Sequence, residues 1–137
     1  MGAPAGSLLL GDKEFIKKAR RIRKVFGGGM RQAGYLAAAG IYALDNNILR
    51  LKEDHKRAKK LNTIIKELSY VDNVLPVETN IIIFNLDEKI KPENFIQKLA
   101  ANDIKASGFG KQAIRFVTHL DFTDEMLEQV ETTLKSI

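Results

Sequence analysis

Ala113-Ile114-Arg115-Phe116-Val117-Thr118-His119-Leu120 alternates apolar side chains with others at a period of two. That spacing predicts a half-buried β-strand, because successive side chains of a strand point to opposite faces. Ile114, Phe116 and Thr118 then share one face, and Arg115, Val117 and His119 share the other. A lone Arg inside an otherwise apolar strand is expensive to bury without an anionic partner. Two partners suit it: a bound carboxylate gripped by the guanidinium fork, or an acid of the same chain in a salt bridge.

Moving outward, Thr79–Leu86 holds Ile81-Ile82-Ile83-Phe84, an apolar run that predicts a strand covered on both faces. Val71–Val77 reads as strand or turn. Pro92 predicts the start of a helix to about Ala101, with Phe95, Ile96 and Leu99 inward. Ile104-Lys105-Ala106 reads as a short strand and Ser107-Gly108-Phe109-Gly110 as a turn. Asp121 or Thr123 caps a last helix to about Ser136. The expected class is α/β, narrowing to α+β in this half: a small mixed or antiparallel sheet with helices on one face.

The first half reads differently. Ser7-Leu8-Leu9-Leu10, closed by Gly11-Asp12, predicts a buried strand. Asp12 can cap a helix from Lys13, with Phe15, Ala19, Ile22 and Phe26 at helical spacing. Gly27-Gly28-Gly29 stops it. A second helix is expected from Met30 or Arg31 to Leu44, so apolar all round that burial within a domain or between subunits follows. Asp45-Asn46-Asn47 reads as a break before a third helix, roughly Ile48 to Ser69.

The 137 residues suit one modest domain, and an apolar fraction of 45% excludes disorder as the main state. No Cys means no disulfide, zinc–thiolate site or Cys nucleophile. No apolar stretch approaches the roughly 18 residues of a membrane helix, and the first residues match neither a secretory signal nor a myristoylation site. Residues 1–60 carry net +9 and residues 61–137 net −4, so the overall +5 is a basic first half. Such asymmetry suits an anionic partner.

Several motifs fail on chemistry. Gly6-Ser-Leu-Leu-Leu-Gly11 has the glycine spacing of a P-loop, but Asp12 stands where its Lys must be. Gly27–Gln32 lacks the last glycine of a dinucleotide fingerprint. His55 and His119 are not spaced as a metal pair, and His55 reads as a structural residue on a helix stripe.

Two basic features remain beside Arg115. Lys17–Lys24 is a basic helix face, read as solvated or as an anion-binding surface. Gly27-Gly28-Gly29-Met30-Arg31-Gln32 combines glycines, a following helix N-terminus and a guanidinium, which predicts a phosphate site; a plain helix–helix connector has the same spacing.

These residues also form a recognisable pattern. Residues 2–7 (GAPAGS), 20–34 (RRIRKVFGGGMRQAG), 37–44 (AAAGIYAL), 51–55 (LKEDH) and 115–121 (RFVTHLD) resemble the low-specificity L-threonine aldolases. That family has the aspartate-aminotransferase fold and uses pyridoxal phosphate (PLP). The resemblance covers only the last two-fifths or so of such an enzyme. It implies that residues 1–44 are a remnant of the large PLP-binding domain and 45–137 the small C-terminal α/β domain. It implies cleavage of L-threonine or L-allo-threonine to glycine and acetaldehyde. It assigns Arg31 to the cofactor phosphate, apparently across a subunit boundary, Arg115 to the substrate α-carboxylate, and Lys24 to the active-site mouth. The Lys that forms the Schiff base with PLP would stand two residues ahead of Met1, and the family's cofactor-stacking His and pyridine-pairing Asp have no counterpart here. The expectation is therefore a chain inactive by itself, cytoplasmic, assembling as a homo-oligomer (tetramer or dimer), without nucleic-acid or membrane partners. The competing reading is a non-catalytic anion- or nucleic-acid-binding module built on residues 13–24.

Overall fold

The computed structural model describes all 137 residues, which form two compact units, Met1–Ile48 and Leu49–Ile137.

In the first unit, helix α1 (Lys13–Val25) begins where Asp12 Oδ1 accepts the Phe15 backbone N–H at 2.8 Å. Glu14 in the first turn and Arg23 and Lys24 in the last complement the helix dipole. The helix closes by turning the chain back on itself: Gly27, at φ +80°, donates its N–H to Lys24 O, and Gly28 donates to Arg23 O at 2.7 Å. Helix α2 spans Gly34–Asn47, starting later than its composition suggests because Gln32 sits in the left-handed region at φ +52°. It also runs through Asp45-Asn46-Asn47 rather than breaking there. Asn46 Nδ2 donates to Tyr42 O and Asn47 Nδ2 to Met1 O, so these side chains cap carbonyls of their own unit instead of ending the helix.

One expectation for this unit fails, and of two alternatives offered for α2 one is excluded. Ser7–Leu10 is not a buried strand: Leu8, Leu9 and Leu10 are 77%, 59% and 79% exposed, and no strand lies alongside to take up their backbone groups. The apolar helix α2 is not buried within this chain either, since only Ala43 loses its solvent contact while Tyr35, Ile41 and Tyr42 stay exposed. Neither segment has a covering surface in its own unit.

The second unit has a core. Its elements are α3 (Leu51–Lys66), β1 (Val71–Val74), β2 (Ile81–Leu86), α4 (Pro92–Ala100), β3 (Ser107–Phe109), β4 (Ala113–Val117) and α5 (Asp124–Ser136). The four strands form an antiparallel sheet in the order β1-β2-β4-β3. The alternation read from the sequence fixes the faces: Ile82, Phe84, Leu86, Ile114 and Phe116 point to the helices and are almost fully buried. Leu61 and Ile65 of α3, Phe95 and Leu99 of α4, and Leu127 and Leu134 of α5 complete that layer. Phe84 packs edge-on against Phe116 at 5.3 Å and Phe95 at 6.2 Å between ring centroids.

The opposite face is open. Ile81, Val117 and Phe109 are 41%, 44% and 50% exposed, so β2 is covered on one face and not on both. The outer strand also differs from expectation: it lies at Ser107–Phe109, not Ile104–Ala106. Gly110, at φ +76°, turns the chain immediately after Phe109, which pairs Phe109 with Ala113 and Ser107 with Arg115.

Polar locks hold α5 to this layer. Arg57 Nε of α3 donates to Asp124 Oδ1 at 2.8 Å, which holds the Asp124 carboxyl below the usual carboxylate range, while Thr123 Oγ1 caps α5 itself by accepting the Met126 N–H. Tyr70 donates its hydroxyl to Leu134 O at 2.6 Å, and burial pushes its phenol up to about 12.

Two measurements check this layout. Phe84→Ala is expected to cost about 3–5 kcal/mol in urea unfolding, whereas Leu9→Ala changes stability by about 0.5 kcal/mol or less. Because the folded-state value for Tyr70 lies above the ordinary 10.0, its contribution is present below pH 10 and is lost as pH rises towards about 12. Tyr70→Phe is expected to remove that component, seen as a smaller fall of the urea midpoint between pH 9.5 and 11.5 than in the parent chain.

Candidate functional site

Arg115 lies at the centre of the open sheet face. Ile83 of β2 and Ser107 of β3 are its cross-strand neighbours, and Ala113 and Val117 flank it on β4. Its side chain is exposed and makes neither an ion pair nor a side-chain hydrogen bond. Of the two partners the sequence allowed, the intramolecular acid is therefore absent. A guanidinium with apolar neighbours and no bound acid can grip a carboxylate through two parallel N–H···O bonds.

The strand's position is secured by residues that sequence reasoning missed. Asp54 on α3 is only 2% exposed, and Arg50 donates to both its oxygens, at 2.6 and 3.1 Å. Thr118, 1% exposed, donates its hydroxyl to the Asp54 backbone O at 2.8 Å. The Thr118 N–H donates to Asn80 O and Asn80 Nδ2 donates to Thr118 O at 2.7 Å. The signal available was spacing: Arg50 and Asp54 stand four apart, one turn of a helix, and Thr118 falls on the core-facing parity of β4.

The first unit holds the other two sequence-predicted residues. Lys24 and Arg31 are exposed and form no ion pair. The Lys24 ammonium lies over Gly29, 2.9 Å from where a Cβ would stand, so the missing side chain makes its room. The glycine run is not the amide cradle that its composition suggests, because the N–H groups of Gly27 and Gly28 are spent on α1 carbonyls. Lys24 and Arg31 each face solvent.

His119 is exposed at the strand end. Its Nδ1 accepts the Asp121 N–H at 3.2 Å and lies 3.9 Å from the Asp121 carboxylate. A recess of about 450 Å³ beside β4 includes Lys105, His119, Phe122 and Met126 in its wall, but not Arg115. His55 is half-buried on α3. No three His, Asp or Glu side chains cluster as a metal site would need, and no helix is long and apolar enough to cross a membrane.

Comparison with known proteins gives these cations a context. A family model described as beta-eliminating lyase matches residues 1–89. A low-specificity L-threonine aldolase of Escherichia coli (strain K12) is 40% identical over 130 residues, 95% of this chain and 38% of that protein. Low-specificity L-threonine aldolase 1 of Arabidopsis thaliana is 38% identical over 126 residues, 90% of this chain and 35% of its own length. The chain thus spans well under half the length of the curated relatives it matches. Among solved structures, the cystine C–S lyase C-DES aligns with TM-score 0.60 at 20% identity, over 74% of this chain and 28% of its own. Ornithine aminotransferase from Toxoplasma gondii ME49 aligns with TM-score 0.60 at 17% identity, over 74% and 25%. The fold is that of a part of the aminotransferase-type enzymes, an α/β architecture with an antiparallel sheet.

Arg50→Ala tests the buried grip behind β4. Leaving the Asp54 carboxylate unpaired is expected to cost about 3 kcal/mol in urea unfolding. A change under about 0.5 kcal/mol would show that the pair is as dispensable as an exposed one.

Proposed function

The chain belongs to the beta-eliminating lyase family, and from that premise we propose that it is the C-terminal part of a PLP-dependent threonine aldolase. In this reading residues 1–44 derive from the large cofactor domain and 45–137 form the small C-terminal domain. The observation that carries it is Arg115, a cation set among Ile83, Ala113 and Val117 with no acid of its own. An amino-acid α-carboxylate is the ligand such a fork takes, and a retro-aldol enzyme acting on β-hydroxy amino acids must hold that group.

The cofactor's phosphate fits the residues of the first unit. Arg31 and Lys24 are exposed cations without ion pairs, and the Lys24 ammonium lies where a Gly29 side chain would otherwise stand. Arg31 would neutralise the phosphate, with Lys24 beside it at the site's mouth. PLP, when bound, supplies an electron sink for the bonding pair left at the substrate Cα. Arg115 fixes one end of the substrate, so that the Cα–Cβ bond keeps a single orientation during cleavage. Association with further copies of the chain is supported by α2, whose Tyr35, Ile41 and Tyr42 lie in water.

All lysines are exposed, and none sits in the apolar enclosure where a lysine amine becomes a carbonyl nucleophile. The 137-residue polypeptide, supplied with PLP and L-threonine, is therefore expected to release no glycine beyond free PLP. Mixed with the separately expressed N-terminal part of a related aldolase, it is expected to restore glycine release, and Arg115→Gln to lower that turnover at least about 100-fold. Turnover by the polypeptide alone would overturn the fragment reading. Restored turnover unaffected by Arg115→Gln would overturn the role given to Arg115.

A further inference from the structure

Arg115 is the last residue of β4 with a strand on each side: Ser107 flanks it on β3, and beyond it only β2 continues, to Ile81 opposite Val117. From Phe116 onward the outer edge of the strand is open, so the guanidinium stands where the sheet begins to lose lateral support. Two sets of bonds at Thr118 replace that support. In the plane of the sheet, the Thr118 N–H and C=O are both tied to Asn80, at 2.9 and 2.7 Å. Across the layer, the Thr118 hydroxyl reaches Asp54 O at 2.8 Å, and Arg50 holds Asp54 to the start of α3. All four residues belong to the second unit.

We propose that Thr118 and Asn80 are positioning residues for carboxylate binding: they clamp the free end of β4 to α3 and to the start of β2, and so hold the Arg115 fork in one place. The inference rests on the reading of Arg115 as the carboxylate grip. Neither residue touches the ligand. Thr118 faces the helices while Arg115 faces solvent, and Asn80 works through the Thr118 backbone. An unclamped strand end spreads the guanidinium over many positions, and a carboxylate must then order it on binding.

The test is titration of the 137-residue chain with L-threonine, followed by the backbone N–H resonances of β4, Ile114 to Val117, in ¹⁵N–¹H spectra, a signal that the Arg115→Gln chain also gives. Thr118→Val, which keeps the shape and removes the hydroxyl, is expected to raise the midpoint about three- to tenfold. Thr118→Ser restores the donor and is expected to return the midpoint to within about twofold of the parent. Tyr70→Phe serves as the stability control: it breaks the Tyr70–Leu134 bond, lowers the melting temperature and leaves the midpoint in place. If Thr118→Val does not fold, Asn80→Ala carries the test, since it removes only the in-plane donor and is expected to shift the midpoint in the same direction. Midpoints unchanged in Thr118→Val or Asn80→Ala, with Arg115→Gln unable to bind, would overturn the clamp alone. An Arg115→Gln chain that titrates like the parent would overturn the carboxylate reading, and the clamp with it.

Discussion

A sheet covered on one face sends every second residue of its strands into water, and that alternation governs the second unit. On β4 it buries Ile114, Phe116 and Thr118 and exposes Arg115, Val117 and His119. One residue of register slip would drive a guanidinium into the layer occupied by Phe84 and Phe95 and turn Phe116 out to solvent. The core that stabilises the unit and the exposed position of Arg115 therefore share a single constraint. Packing on one face determines which residue can work on the other.

How much of this was legible in the sequence follows from how local each signal was. The parity of β4, the Asp12 and Thr123 caps and the start of α4 at Pro92 depend on a few adjacent residues, and the structure has them as expected. The start of α2 was missed because nothing in Met30-Arg31 forbids a helix; the left-handed Gln32 does. The outer strand was placed three residues early because Ser107-Gly108-Phe109 reads as turn, and only pairing with β4 makes it a strand. Ser7–Leu10 failed for the opposite reason: its strand signal is sound, but a strand exists only where another lies beside it.

The candidate site divides in the same way. Arg115 could be named as a lone cation in an apolar strand and Arg31 from the glycine run that precedes it, whereas Lys24 was named only through the family resemblance. The Arg50–Asp54 pair could not be assigned a role, since one-turn ion pairs are common on exposed helices. Its meaning comes from the burial of Asp54 and from Thr118, 64 residues away. The glycine run shows the reverse error. Three consecutive glycines suggest amides presented to an anion, yet two of them finish α1. Of the three glycines only Gly29 keeps its N–H free of an α1 carbonyl, beside the uncommitted Lys24 and Arg31 side chains.

The contrast between the two units bears on what the first one is for. The second buries an aromatic and aliphatic layer from five of its elements and has the means to stand alone. The first consists of two helices of 13 and 14 residues whose Phe15, Ile22, Phe26, Tyr35 and Ile41 all remain in water. Isolated helices of that length are marginal, because each must offset its nucleation cost with buried apolar surface. Here the surface exists and the burial does not. Residues so apolar on helices so short make physical sense only against a covering surface, which the proposed large domain or a second copy of the chain would provide. Under the proposed function the same argument fits Lys24 and Arg31, cations without acid partners in this chain, whose anion site would be completed by what covers the element.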